Sequence, residues 1–399
     1  MNIEKARILH LGTNDKFLWQ AVDVFEKVNP GFNDVCIFNI KNKQVPCPKN
    51  TNIKVVQVKN PQFQLSRVSR TVYKKYDIVV FHSFDSLIFP EIFAIPKNVA
   101  KFWVGWGFDY YSEISSPEKL LLPKTYQYRS DGNSKRKDNI FFKMARFIAK
   151  MLGVKKNKCE AISKLDFFAP VIPEEYDMLK SSRKWSSFPD FLNWNYGTIE
   201  DHFLKGFDDV SDVGDAILLG NSASLTCNHL DAFEILARLE INGRKIVVPL
   251  SYGGEAYADK VCLDGGKYFG DNFLPLRGFL PISEYVKTIS QCGFVVMNHN
   301  RQQGLGNIVI MLYLGAKVFL RKENPLYENL ISQGFIISAV QDLDKNPDLI
   351  KKKLTKFDAE NNKKLIIKRW SREASINRTL RLIEAGIARS ASEKGGANV

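Results

Sequence analysis

Residues 301–306 (RQQGLG) combine the residue types that could bind a phosphate compound. The Arg301 guanidinium can donate two parallel hydrogen bonds to one phosphate, and the start of a helix presents free backbone N–H groups with a partial positive charge. Glycines allow the backbone to approach an oxygen-rich ligand closely. The amides of Gln302, Gln303 and Asn307 suit sugar hydroxyls or a base edge. The simpler alternative is a plain turn with a surface arginine.

The elements around this turn form a predicted β-loop-α-β unit. An apolar strand at 294–297 precedes the turn, an apolar helix at 305–314 follows it, and a second strand lies at 317–320. Neither GxGxxG nor the Walker A pattern occurs, which argues against nicotinamide chemistry and ATP hydrolysis. The chemistry predicted is departure of a nucleoside diphosphate, whose growing negative charge the helix start and Arg301 could stabilise without a metal.

Other strand-end loops of the second half are expected to line the same wall of a cleft. They follow predicted strands at 216–219, 244–250 and 317–320, and such loops hold the ligand sites of open parallel sheets. The predicted nucleotide-sugar-binding residues are Gly220, Asn221, Ser222, Pro249, Tyr252, Glu255, Tyr257, His299, Arg301, Gln302, Gln303, Gly304, Gly306, Asn307, Glu323 and Asn324.

Three polar residues of the first half are candidates for a general base. His10 lies near the end of a predicted strand, and His82 and Asp109 each follow an apolar run that predicts one, so parallel strands would bring the three to one edge of a sheet. Asp109 lies among glycines and aromatic residues (WGWGFDYY), which suits a turn that lines a ligand. For each residue the alternative is a hydrogen-bonded loop or cap position. The sequence leaves open which of the three is the base, and whether transfer inverts or retains configuration.

Length and composition indicate a two-domain globular protein. The chain has 399 residues, 45% of them hydrophobic, and no apolar run long enough to span a membrane. Its N-terminus passes directly from charged residues into a strand, so no secretory signal is predicted. The six cysteines and five histidines show no metal-ligand spacing, so reduced thiols and a metal-free site are expected. The final part, about 359–389, is predicted to form one long basic helix.

The net charge of +14 is concentrated in residues 135–158, which contain nine Lys or Arg and one Asp and so contribute +8. Apolar residues recur there at helical spacing beside a basic face, which is typical of a helix lying on an anionic membrane. An ordinary helix with a solvated basic face and a nucleic-acid-binding segment are the alternatives. The predicted membrane-contacting residues are Phe141, Lys143, Arg146, Phe147 and Lys150.

Several of these segments resemble a known family. The blocks 219–222 (LGNS), 247–252 (VVPLSY), 301–306 (RQQGLG) and 321–325 (RKENP) are similar to those of the TDP-N-acetylfucosamine:lipid II N-acetylfucosaminyltransferases, glycosyltransferase family 56. In the first half, the segments His10-Leu11-Gly12, Phe81-His82 and Trp106-Gly107-Phe108-Asp109-Tyr110-Tyr111 resemble that family. The resemblance covers most of the chain and is strongest between about 216 and 330.

The resemblance implies a GT-B fold of class α/β, with two Rossmann-like domains facing across a cleft and a C-terminal helix that crosses back. The expected domains are an acceptor-binding domain at 1–205, a nucleotide-sugar-binding domain at 215–355, and a C-terminal helix and tail at 356–399. The implied enzyme is a metal-independent hexosyltransferase with no cofactor. It would act as a peripheral protein at the cytoplasmic face of the bacterial inner membrane, without a nucleic-acid partner.

The implied reaction moves an acetamido-dideoxyhexose similar to Fuc4NAc from a dTDP-sugar to an undecaprenyl-diphosphate-linked saccharide. Such a step belongs to the synthesis of enterobacterial common antigen or O-antigen. Residues about 126–158 and 181–200 depart from the family pattern, so another nucleotide sugar or acceptor is an open alternative. A non-catalytic module that binds a membrane surface is the alternative from a different class.

Overall fold

The computed structural model describes residues 5–38, 55–58, 71–86, 88–133, 158–207, 213–241 and 243–396. All five predicted membrane-contacting residues lie outside the described residues. The chain forms two compact units. The first consists of the described parts of Met1–Ile114, Asn139–Gly197 and Arg372–Val399, and the second of those of Ser115–Asp138 and Thr198–Ser371.

The first unit is built on a parallel sheet of seven described strands in the order β3-β2-β1-β4-β5-β6-β7. Apolar strands flanked by helices on both sides favour this parallel arrangement. The strands are β1 (Ile8–Gly12), β2 (Asn33–Phe38), β3 (Val55–Val58), β4 (Ile78–His82), β5 (Ala100–Val104), β6 (Phe167–Ala169) and β7 (Asp190–Phe191).

The longer helices of the first unit cover this sheet. In α1 (Lys16–Val28) the Asp15 carboxylate accepts a hydrogen bond from the Phe17 backbone N–H, which caps the helix start. The C-terminal helix Arg372–Gly396 contacts α1, β4 and β5. It approaches closely at Gly386, where a Cβ would lie 2.5 Å from Ile78 Cδ1. The other helical segments are Phe89–Ala94, Tyr111–Ile114, Lys158–Ile162 and Glu174–Ser181.

The second unit contains a parallel sheet of six described strands in the order β10-β9-β8-β11-β12-β13. The four inner strands are almost fully buried, because helices cover both faces. The strands are β8 (Ala216–Leu219), β9 (Ile246–Pro249), β10 (Phe273–Leu276), β11 (Cys292–Met297), β12 (Lys317–Leu320) and β13 (Ser338–Ala339).

The helices of the second unit include α2 (His229–Ala237), α3 (Glu255–Phe269), α4 (Ile282–Ile289), α5 (Leu305–Tyr313), α6 (Pro325–Ser332) and α7 (Lys356–Trp370). We number the C-terminal helix Arg372–Gly396 as α8. In α5, five consecutive residues, 308–312, are buried. Shorter helical segments lie at Pro117–Leu120, Pro123–Tyr128, Arg129–Asn133, Ile199–Phe203, Leu225–Cys227, Gly270–Asn272, Asp342–Lys345 and Pro347–Ile350.

The units differ from the domain ranges predicted from sequence. Residues 115–133, expected in the first domain, pack in the second unit, where Leu122 N donates to Asn228 Oδ1 at 2.9 Å. The single helix predicted over 359–389 is instead two helices, because Ser371 adopts an extended backbone (ψ 157°) that ends α7 after Trp370. Helix α7 belongs to the second unit and α8 to the first. Among the described residues, no helix is long and apolar enough to cross a membrane.

A buried ion cluster fastens α8 to the first sheet. The Asp166 carboxylate pairs with Lys101 Nζ at 3.1 Å and with Arg389 Nε at 2.9 Å, and the Lys101 and Asp166 side chains are 7% and 9% exposed. Burial lowers the pKa of Lys101, while Asp166 opposes that shift. The carboxylate therefore compensates for the cost of burying the ammonium group.

We expect Asp166→Asn to reduce the free energy of unfolding by about 3–5 kcal/mol, because it leaves a buried ammonium without its anion. Chemical denaturation at pH 7 measures this loss. The control is Asp23→Asn, which breaks the partly exposed pair with Lys27 in the same unit and should cost no more than about 1 kcal/mol. Equal losses in the two variants would contradict the prediction.

Candidate functional site

The loops after the four inner strands of the second sheet meet at its carboxyl edge. Because β9, β8, β11 and β12 are adjacent and parallel, residues 250–254, 220–228, 298–304 and 321–324 all emerge on the same side. Hydrogen bonds join these segments directly, as described below. The sequence-based expectation that they line one wall therefore corresponds to a continuous group of loops, which we name the edge loops.

The turn before α5 provides no side-chain cap for the start of that helix. Gly304 is the N-cap residue and adopts a left-handed backbone (φ 71°). Because it is glycine, it has no side chain that could accept a hydrogen bond from the first helical N–H groups. A Cβ at Gly304 would also lie 3.0 Å from the Asn221 side chain. Glycine is thus required both by the backbone angle and by the close approach of the 220–228 loop. The half-buried Arg301 lies in the same turn, with Nη1 3.5 Å from the Gln302 carbonyl oxygen.

Gln303 links two edge loops through its side chain. Its Nε2 donates to Asn221 Oδ1 at 3.0 Å, and its Oε1 accepts from Thr226 Oγ1 at 2.6 Å. The Asn221 amide in turn donates to the Tyr252 hydroxyl at 2.7 Å. The sequence suggested that Gln303 binds sugar hydroxyls or a base edge. Its contacts favour a different role, in which Gln303 and Asn221 position the loops while the exposed Tyr252 ring faces solvent.

Two further glycines shape the edge by close backbone approach. Gly220 has φ 68°, and a Cβ there would lie 2.6 Å from His229 Nε2. Gly253 has φ 121° and pairs with Ala223, whose carbonyl oxygen a Cβ would meet at 2.4 Å. The backbone angle and the contact with His229 therefore explain why residue 220, a predicted donor-binding residue, is glycine. Ser222, also predicted, is buried and lies 3.7 Å from Cys227 Sγ.

Several predicted donor-binding residues point into the protein. Tyr257 is in the hydrophobic core, and its hydroxyl accepts a hydrogen bond from His229 N at 3.2 Å. A Cβ at Gly306 would face Phe203 at 3.4 Å, so the helix segment Ile199–Phe203 accounts for this glycine. Their contacts therefore favour roles in packing over contact with a ligand. Other buried predicted residues are Pro249, His299 and Gln302.

The remaining predicted residues lie at helix starts. Glu255 is exposed in the first turn of α3, and Asn307 is half-buried in that of α5. Asn324 is buried and caps α6, since its Oδ1 accepts from Leu326 N at 3.0 Å. Glu323 is exposed and accepts hydrogen bonds from Arg321. Burial would raise the pKa of Glu323, but hydrogen bonds from its own backbone N–H and from Arg321 hold it below its ordinary value.

Two asparagines that the sequence did not single out connect the edge loops to residues 120–122. Asn228 Nδ2 donates to the Asn298 carbonyl at 3.1 Å, and Asn298 Nδ2 donates to the Asn228 carbonyl at 3.2 Å. Asn228 adopts a left-handed backbone (φ 51°), which asparagine tolerates better than most residues. Its Oδ1 accepts from Leu122 N, a pairing 106 positions apart. Spacing alone gives no signal for such a contact.

In the first unit, two candidate bases form a buried hydrogen-bonded chain. His10 Nδ1 lies 2.9 Å from His82 Nε2, and His82 Nδ1 lies 2.9 Å from the Tyr196 hydroxyl. His10 Nε2 also lies 3.3 Å from Asn33 Oδ1. Burial lowers the pKa of His10 to about 4 and that of His82 well below its ordinary value. The parallel strands do bring the two histidines together, but in an environment that weakens them as bases.

Asp109 is also buried, and its carboxylate already accepts three hydrogen bonds. The donors are Phe84 N at 2.9 Å, Trp103 Nε1 at 2.8 Å and Trp106 N at 2.9 Å. Burial raises the pKa of Asp109, and these hydrogen bonds oppose that shift. Its contacts favour a role in bracing the loops after β4 and β5. A role as general base stays a prediction.

A match to a known family falls within the second unit. Residues 199–365 match the model described as 4-alpha-L-fucosyltransferase, glycosyl transferase group 56. This segment contains all of the edge loops. The match supports a glycosyltransferase of the hexosyltransferase class and agrees with the resemblance identified from the sequence blocks.

Solved structures show that the fold is GT-B. Sucrose-phosphate synthase from Thermosynechococcus elongatus has a TM-score of 0.61 at 9% identity, over 96% of this chain and 99% of that chain. α,α-Trehalose 6-phosphate synthase from Burkholderia multivorans has a TM-score of 0.59 at 8% identity, over 99% of each chain. HepE from Anabaena, in complex with UDP, has a TM-score of 0.60 at 11% identity, over 95% of this chain and 100% of that chain. At these identities the likeness establishes the fold alone.

Proposed function

We propose that this glycosyltransferase binds a dTDP-sugar at the edge loops and transfers an acetamido-dideoxyhexose similar to Fuc4NAc. The observation that carries the proposal is the start of α5 at Gly304, which no side chain caps, with Arg301 in the same turn. Backbone N–H groups and a guanidinium at one turn suit a diphosphate leaving group. The group 56 match over the same loops supports a deoxyhexose as the sugar.

The proposed acceptor is an undecaprenyl-diphosphate-linked saccharide at the cytoplasmic face of the bacterial inner membrane. The strongly basic composition of residues 135–158 supports this part, because an anionic membrane and a lipid diphosphate both attract cations. A pathway of surface-polysaccharide synthesis, such as that of enterobacterial common antigen or O-antigen, would use such a product. Another nucleotide sugar or acceptor on the same site is the second candidate, favoured by the divergent residues 181–200.

A thermal-shift comparison of dTDP, UDP, GDP and ADP tests the donor class. We expect dTDP to raise the melting temperature most, because a ligand that binds only the folded state stabilises it by mass action. Thymidine at the same concentrations is the control for binding through the nucleoside alone. A larger shift with UDP, GDP or ADP would replace the proposed donor, and no shift with any diphosphate would overturn the site.

A further inference from the structure

We propose that Arg321 is a second arginine that binds the donor diphosphate, and that Glu323 competes with the donor for its guanidinium group. The inference rests on the proposed function, because it adds a contact for the same ligand. Arg321 was not among the residues predicted from sequence. It is the first residue after β12, and Asn298 is the first after β11, so the register Met297↔Leu320 places them side by side.

The Arg321 guanidinium lies against the turn that starts α5. Its Nη1 is 3.4 Å from Asn298 Oδ1, and Asn298 is fully buried and held by the reciprocal amide contact with Asn228. The Arg321 side chain is only 13% exposed. The turn that carries Arg301 therefore begins at a residue that Arg321 contacts. Neighbouring strand ends thus supply one arginine each to the carboxyl edge.

Arg321 already holds an anion in the geometry that a phosphate would take. Its Nε and Nη2 donate to the two carboxylate oxygens of Glu323, each at 3.1 Å. Arginine binds carboxylates and phosphates with the same planar fork. The Glu323 side chain is 53% exposed, and a pair with one partner in water is weakly held. A dianionic or trianionic ligand can therefore displace it, while Gln341 Nε2, at 2.6 Å, retains the released carboxylate.

The edge loops offer few other cations for a diphosphate. In residues 220–228, 250–254, 298–304 and 321–324, which the structure describes in full, the cationic side chains are Arg301, Arg321 and Lys322. Lys322 is half exposed, and its ammonium group already pairs with Asp342 at 3.1 Å. The simplest pairing of charges therefore gives each of the two donor phosphates one arginine, Arg301 or Arg321, from adjacent strand ends.

Calorimetric titration of the full chain with dTDP and with pyrophosphate tests the assignment. We expect Arg321→Met to weaken dTDP binding about 10- to 100-fold, the loss expected for a charge-assisted double hydrogen bond. Arg321→Lys should recover only part of it. Glu323→Gln should strengthen pyrophosphate binding, because the carboxylate that competes for Arg321 is gone. The matched control is Arg238→Met, which removes an exposed arginine paired with Glu234.

The outcomes separate this inference from the proposed function. If the wild-type protein binds no nucleoside diphosphate, both fail. If it binds dTDP and Arg301→Met weakens binding while Arg321→Met does not, only the role of Arg321 is overturned. Circular dichroism checks folding of each variant. Should Arg321→Met not fold, an unchanged pyrophosphate affinity in Glu323→Gln overturns the inference, and a strengthened affinity supports it.

Discussion

Arg301→Met is expected to reduce kcat about 100- to 1000-fold, the range found when one donor to a developing negative charge is removed. The leaving diphosphate gains charge as the glycosidic bond breaks, and Arg301 lies in the turn where α5 begins. Because the interaction strengthens in the transition state, kcat should fall more than donor affinity does. Steady-state transfer from a dTDP-sugar, with dTDP affinity measured separately, tests both parts.

The control for Arg301 is again Arg238→Met, because that side chain is 70% exposed near the end of α2, away from the edge loops. It should keep wild-type kcat and melting temperature. A wild-type kcat in Arg301→Met would remove this arginine from the leaving-group site. A fall in kcat accompanied by a large fall in melting temperature would instead assign Arg301 to the fold.

Acidification from pH 7 to pH 5 is expected to destabilise the second unit by about 4 kcal/mol through two buried histidines. Burial lowers the pKa of His229 to about 3, and burial with nearby Arg301 lowers that of His299 to about 3. Both have an ordinary pKa of 6.5. The unfolded chain therefore binds more protons below pH 6.5, and stability falls as pH drops from 6.5 toward 3. At pH 5 each histidine contributes a loss of about 2 kcal/mol.

Denaturant unfolding at pH 7, 6 and 5 measures this dependence. Among the residues that the structure describes, neither His229 ring nitrogen has a hydrogen-bond partner, so His229→Leu removes a titrating group without breaking a polar contact. This variant should lose about half of the pH dependence assigned to the pair. The control is His202→Gln, which removes a partly exposed histidine of the same unit. An unchanged pH slope in His229→Leu would contradict the buried-histidine explanation.

The positions of the inner strands of the second unit, and of the loops that follow them, were largely predictable from the sequence. Apolar runs followed by Gly, Ser, Asn or Arg identified β8, β9, β11 and β12 and the loops after them. The turn at 301–306 was placed at a helix start, and the left-handed Gly304 has the backbone angle that such a turn needs. These features are local, because strand periodicity and turn residues act over a few positions.

The roles of individual polar side chains were less predictable. Gln303 and Gly306 carry residue types that suit a ligand, yet one joins two loops and the other packs on Phe203. His82 falls at the end of β4 as expected, whereas His10 lies in the middle of β1, and both are fully buried in a hydrogen-bonded chain. Residue type gives the chemistry available to a side chain. Only the partners around it decide whether water or a ligand can reach that chemistry.

By itself, the sequence determined the two α/β halves, the turn at 301–306 that carries glycine and arginine before a helix, and the concentration of positive charge at 135–158. The tertiary structure decided which strand ends are neighbours, and so brought Asn298 to Arg321 and Asn228 to Leu122. It also divided the C-terminal helical region between the two units at Ser371. The physical reason is that helix and strand patterns depend on residues a few positions apart. The pairing of strands in a sheet and the contacts of side chains depend on residues up to hundreds of positions apart.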